Sequence, residues 1–178
     1  MKLFIAIFLF SLPFYTSEEN KEKIPWTETR QLTWNDFKGE PKSGANFVAS
    51  TNSGMSFSFS YTEKNGKQTM EYTVTCNFYP ERSWYKQGKV SDYILKHEQT
   101  HFDISELYAR ILRKQIAETK FSKNIKKEIE ALYHKTELER QNTQNEYDLQ
   151  SDHSKIEEEE YRWRGIVANQ LKAYERWK

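Results

Sequence analysis

The sequence predicts an α+β fold in which a small antiparallel sheet is followed by a helical half. Three observations carry this. Apolar and polar residues alternate strictly over two neighbouring runs, Met55–Tyr61 and Thr69–Phe78, which is the period of a half-buried strand. Between these runs stands Lys64-Asn65-Gly66-Lys67, a tight-turn signal that joins them into a hairpin. Beyond residue 90 the apolar period changes to that of a helix and stays so to the end. At 178 residues the chain has room for one domain with a single core.

Taken in order, the chain opens on Lys2 and the apolar run Leu3–Phe10, closed by Ser11, Leu12 and Pro13. A basic start, a short apolar stretch and a polar exit describe a secretory signal over residues 1–17, either cleaved or kept as an anchor. The run is shorter than the roughly 20 residues a transmembrane helix needs. Secretion, or retention in the periplasm or cell envelope, is the expected localisation. Residues 18–178 are then expected to form one domain, with Glu18–Lys23 as a solvated spacer.

Trp26 and the segment Leu32-Thr33-Trp34-Asn35-Asp36-Phe37 bring bulky groups that must pack on something, while Gly39, Pro41 and Gly44 break any regular element. In the hairpin, Met55, Phe57, Phe59 and Tyr61 share one face, and Met70, Tyr72, Val74, Cys76 and Phe78 share one face of the partner strand. Asn46–Thr51 is a candidate third strand, and Pro80 is expected to end the sheet region.

The first helix is expected from Ser91 to Thr119, with Ile94, His97, His101, Ile104, Tyr108 and Ile111 or Leu112 on one stripe. Ser122 is a candidate N-cap for a second helix that turns Ile125, Ile129, Leu132 and Tyr133 inward. Ser154-Lys155-Ile156-Glu157 has the form of a capping box opening a third helix, which continues through Tyr161, Ile166 and Leu171 to Trp177. Glu157–Glu160 then fall in its first turn, where the helix dipole favours acidic groups, and read as a solvated helix start.

Composition narrows the function. The net charge is +1, from 27 basic and 26 acidic residues, so no global field points to nucleic acid or to an anionic membrane. The lone cysteine, Cys76, forms no internal disulfide and sits in a strand pattern, which makes it a small core hydrophobe.

The most informative stretch is His97-Glu98-Gln99-Thr100-His101, an H-E-x-x-H pattern inside the first helix. Histidines four apart lie on one helix face, one turn above the other. From there both imidazoles reach a single Zn²⁺, and Glu98 stands beside it as a base for bound water. A catalytic zinc needs a third protein ligand. His153, at the break between the second and third helices beside Asp152, is the leading candidate. Asp148, Glu146 and His134 are the alternatives, although His134 sits where an exposed surface histidine is expected. Tyr147 is the candidate for stabilising an oxyanion, with core packing as its other reading. Asp103 points away from His101 on a helical wheel. A free edge of the sheet offers strand addition to an extended peptide, though no residue marks it.

Ile94-Leu95-Lys96-His97-Glu98-Gln99-Thr100-His101-Phe102-Asp103-Ile104 with Glu106-Leu107-Tyr108-Ala109-Arg110 resembles the predicted secreted zinc-dependent protease family of bacteria. Leu32–Gly39, Ala49–Gly54, and Tyr147-Asp148 followed by His153 are similar to its pattern as well, so the resemblance spans roughly residues 24–170. It departs at Ser154, where the family often has glycine. The resemblance implies a zincin-like metallopeptidase with one catalytic Zn²⁺. In it His97 and His101 are ligands, His153 is the favoured third, and Glu98 is the general base acting on a peptide or protein substrate. The rival expectation is a catalytically inactive zincin-like binding protein of the cell envelope; an intact Glu98 argues against it.

Overall fold

The computed structural model describes residues 22–65 and 67–178. The export signal expected at 1–17 lies outside the described residues. The architecture is α+β, with a small antiparallel sheet and three long helices.

Strands β3 (Ser53–Lys64) and β4 (Lys67–Phe78) form the expected hairpin. Lys64 pairs with Lys67, and Asn65 takes φ 54°, the left-handed conformation that a two-residue hairpin turn demands and asparagine tolerates. The register sets apolar side chains opposite one another: Met55 faces Cys76, Phe57 faces Val74, Phe59 faces Tyr72 and Tyr61 faces Met70. The third strand of this sheet is β1 (Ile24–Pro25), antiparallel to β4, which gives the order β1-β4-β3. The segment expected to supply a third strand does something else. Its β2 (Ala49–Ser50) pairs with β5 (Trp84–Tyr85) in a separate two-stranded ladder. Pro80 does end β4, as the first residue of a 3-10 turn over Pro80–Arg82, but β5 follows it. Gly39 lets its own segment approach the backbone just before β5. Its N–H donates to the Ser83 carbonyl at 2.8 Å, and a Cβ there would stand 2.9 Å from that oxygen.

Helix α1 (Asp92–Glu118) matches expectation closely: Ser91 is the N-cap, its hydroxyl accepts the Ile94 N–H, and Thr119 closes the other end. Buried residues lie around much of its circumference, because α1 is the central element. Phe102, Ala109, Leu112 and Ile116 meet the sheet-side core of Ile24, Leu32, Phe37, Met55, Val74, Cys76, Phe78 and Ile129. On its other side Ile104 joins Tyr147, Trp163 and Val167 in a smaller cluster between the helices.

Helix α2 (Ile125–Ser151) runs back along α1: Gln115 meets Thr136, Ser105 meets Arg140 and His101 meets Gln144. Ile125 and Ile129 are buried as expected. Its N-cap is Asn124; Ser122 instead binds the Glu128 carboxylate and accepts the Asn124 N–H. The chain leaves α2 through Asp152, His153 and Ser154, all at positive φ (44°, 51° and 69°), and this turn rules out the expected Ser154 capping box. Helix α3 (Glu157–Ala173) starts after Ile156 without a side-chain cap. Its inward face is also rotated from the expected one. Glu160, Trp163 and Val167 are buried, whereas Tyr161 and Ile166 are exposed. Glu160 is therefore not part of a solvated helix start.

Candidate metal site

Helix geometry brings the two histidines together. One turn apart on α1, His97 and His101 hold their Nε2 atoms 3.2 Å from each other. Asp148, on the antiparallel α2, places Oδ1 3.2 Å from His97 Nε2 and 3.1 Å from His101 Nε2. Among the described residues these three form the group able to hold a metal ion. The donor triangle is nearly equilateral. Tetrahedral zinc with bonds of about 2.0 Å sets neighbouring donors about 3.3 Å apart, so the residues present fit the ion.

The other ring nitrogens support the same arrangement. His97 Nδ1 donates to Glu160 Oε2 at 2.9 Å, and His101 Nδ1 donates to Gln144 Oε1. Gln144 is fixed in turn, because its amide nitrogen donates to the His101 carbonyl at 2.8 Å and to Ser105 Oγ at 3.2 Å. With each Nδ1–H committed to an oxygen, the Nε2 atoms of the two imidazoles face each other and a carboxylate oxygen. Three acceptors at such distances require a cation among them. Burial acts to lower the His97 pKa, but hydrogen bonds to Asp148 and Glu160 outweigh it and raise the group to about 9. Asp148 is pulled well below the carboxylate range because its bonds to His101 and His97 outweigh the burial that would raise it.

Glu98 is 3% exposed, and its Oε2 is buried without a hydrogen-bond partner. Leaving a carboxylate oxygen so placed is costly unless a further group is to occupy the position. Glu98, His97, His101 and Asp148 all line one cavity of about 530 Å³. Segment 46–53 also lines it, anchored to α1 where the Thr51 hydroxyl donates to the Glu98 carbonyl at 3.2 Å.

His153 reaches the same place by another route. Its Nδ1 is 3.2 Å from Asp148 Oδ1 and its ring stacks on Phe47 at 5.2 Å between centroids, but it does not belong to the donor triangle. Asp148, one of the alternatives, takes the third corner instead. Tyr147 is fully buried behind the histidines, with its ring 4.6 Å from His97 and 5.0 Å from His101. Its hydroxyl donates to Glu160 Oε1 at 2.6 Å, and the residue does not line the cavity. His134 and Glu146 are exposed on α2, away from the triangle. Asp103 accepts from Trp26 Nε1 and Gln99 Nε2, both at 2.8 Å, and touches neither histidine. Cys76 is buried, and burial pushes its thiol well up in pKa, so it is inert.

Gln144 and Glu160 were not singled out by the sequence. Gln144 had a detectable signal, since Thr136, Arg140, Gln144, Tyr147 and Ser151 make a polar stripe at helical spacing. Glu160 had none, hidden as the last of four consecutive glutamates.

Fold and site together define an α+β protein with a helix-borne His-His-Asp donor set beside a buried glutamate, in a single cleft. The chain belongs to the family described as "Bacterial protein of unknown function (DUF922)", whose model matches residues 27–154. Comparison with curated proteins and with solved structures gave no match.

Proposed function

We propose that this protein is a zincin-like, zinc-dependent peptidase exported from the bacterial cell. His97, His101 and Asp148 would hold one Zn²⁺, with His153 Nδ1 3.2 Å from the carboxylate ligand. The observation that carries this reading is the conjunction of the donor triangle with Glu98, which lines the same cavity and whose buried Oε2 has no hydrogen-bond partner. A structural metal site has no use for such a group. A hydrolytic one does, because water must lose a proton there.

When bound, zinc supplies a Lewis acid and brings the pKa of its water toward about 7. Glu98 takes the water proton as general base and returns it to the leaving amine as general acid. Glu160 and Gln144 fix the two imidazoles. The cleft between Asn46–Ser53 and α2 holds the polypeptide substrate and limits access of bulk water. The basic and apolar N-terminus supports export.

The test is zinc content and hydrolysis by the purified chain, screened on secreted and cell-envelope proteins. Glu98→Gln is expected to keep one zinc per chain and to lose hydrolysis by a factor of at least about 100. Hydrolysis that survives in Glu98→Gln would overturn the mechanism, and wild-type protein without zinc would overturn the site.

A further inference from the structure

We propose that Glu160 is a positioning residue of the metal site, so that α3 completes a centre whose ligands and base all lie on α1 and α2. This rests on the zinc reading above and adds to it a part of the chain outside the family match, which ends at residue 154.

The Glu160 carboxylate is fully buried and has a donor from each of the three helices. His97 Nδ1 on α1 donates to Oε2 at 2.9 Å; the Tyr147 hydroxyl on α2 and Arg164 Nε on α3 donate to Oε1 at 2.6 and 2.7 Å. Arg164 is held in turn by the Tyr93 carbonyl at 2.8 Å, one turn before His97 on α1. A carboxylate so desolvated keeps its charge only when its partners satisfy it, and here they aim one oxygen at a metal-ligand imidazole. A carboxylate on the far nitrogen of a ligating histidine fixes its tautomer and ring orientation and raises its basicity. His101 has only a neutral amide, Gln144, in the corresponding place. The two ligands are therefore supported unequally.

The helix that delivers Glu160 is anchored independently of it. Trp163 and Val167 pack on Ile104 and Tyr147. Arg110 donates to the Leu171 carbonyl at 2.6 Å and, beyond the end of α3, Arg113 donates to the Trp177 carbonyl at 3.0 Å. Loss of the Glu160 carboxylate thus leaves α3 in place. The rival account is that Glu160 only orients Arg164, its neighbour on the same helix, toward the Tyr93 carbonyl, which holds α3 on α1, and does nothing for the metal.

Zinc affinity of the full chain, measured by competition with a chromophoric chelator, separates the two. Glu160→Gln is expected to bind one zinc with affinity reduced about 10- to 100-fold, with an unchanged far-ultraviolet circular dichroism spectrum. In the zinc-loaded protein the slowly exchanging His97 Nδ1–H proton resonance is expected to disappear or shift, while that of His101 stays. Glu160→Asp keeps the charge but withdraws it from His97 by one methylene, and is expected to weaken zinc in the same direction; it serves if Glu160→Gln does not fold. Zinc affinity within twofold of wild type in a folded variant would overturn the proposal while leaving the metal site standing. Wild-type protein that binds no zinc would instead overturn the reading beneath it.

Discussion

His97 shows how much one residue depends on its neighbours. Its Nε2 belongs to the donor triangle and its Nδ1 to Glu160, and its ring packs against Tyr147. Asp148 completes the triangle and His153 touches it from outside, which leads to a pair of opposed predictions. Asp148→Ala is expected to abolish stoichiometric zinc binding, as measured by metal analysis after dialysis. His153→Asn is expected to retain one zinc per chain, and asparagine suits the φ of 51° at that position. The opposite pattern would return the third-ligand role to His153. Tyr147→Phe leaves the aromatic packing in place and removes one donor from a buried carboxylate. A cost of about 1–3 kcal/mol in chemical denaturation is expected, with zinc retained.

At the scale of elements, the hairpin and α1 follow local rules with little interference from the rest of the fold. Alternation, a two-residue turn and a serine cap suffice to place them. α3 did not follow. Its apolar residues occur on two faces, and the burial of Glu160 with Trp163 and Val167 is decided by what α1 and α2 present to it. The short ladder β2–β5 is likewise tertiary: two residues on each side make no periodic signal, and Gly39 permits the backbone approach beside it. Gly39→Ala would place a Cβ against two carbonyl oxygens, at 2.9 and 3.0 Å. It is expected to cost about 1–3 kcal/mol of stability in urea unfolding. Ile129, fully buried where α2 meets the sheet-side core, is expected to cost about 2–5 kcal/mol on truncation to alanine.

At the scale of the whole molecule, α1 is packed by the sheet on one side and by α2 and α3 on the other, and the donor triangle forms only where α1 and α2 are assembled. A metal that binds the folded chain alone then stabilises the entire fold by mass action, by about 2.7 kcal/mol at a free concentration one hundred times its dissociation constant. Thermal unfolding with and without zinc checks this. The melting temperature of wild type is expected to rise with zinc concentration, and that of His97→Ala to stay flat. Among the described residues no helix is long and apolar enough to cross a membrane.

By itself the sequence determined the periodic elements and the half of the site that one helix carries. Residues four apart share a face whatever surrounds them, so His97, Glu98 and His101 were legible from spacing alone. Only the tertiary structure set Asp148 rather than His153 at the third corner of the triangle, because the two lie five residues apart on a helix end and the turn after it, and both reach the same neighbourhood. It also decided that Glu160 is buried on His97 while the glutamates before it are not. Helix spacing names neighbours along one element; which face of α3 meets α1 is set by packing between elements that no local period records.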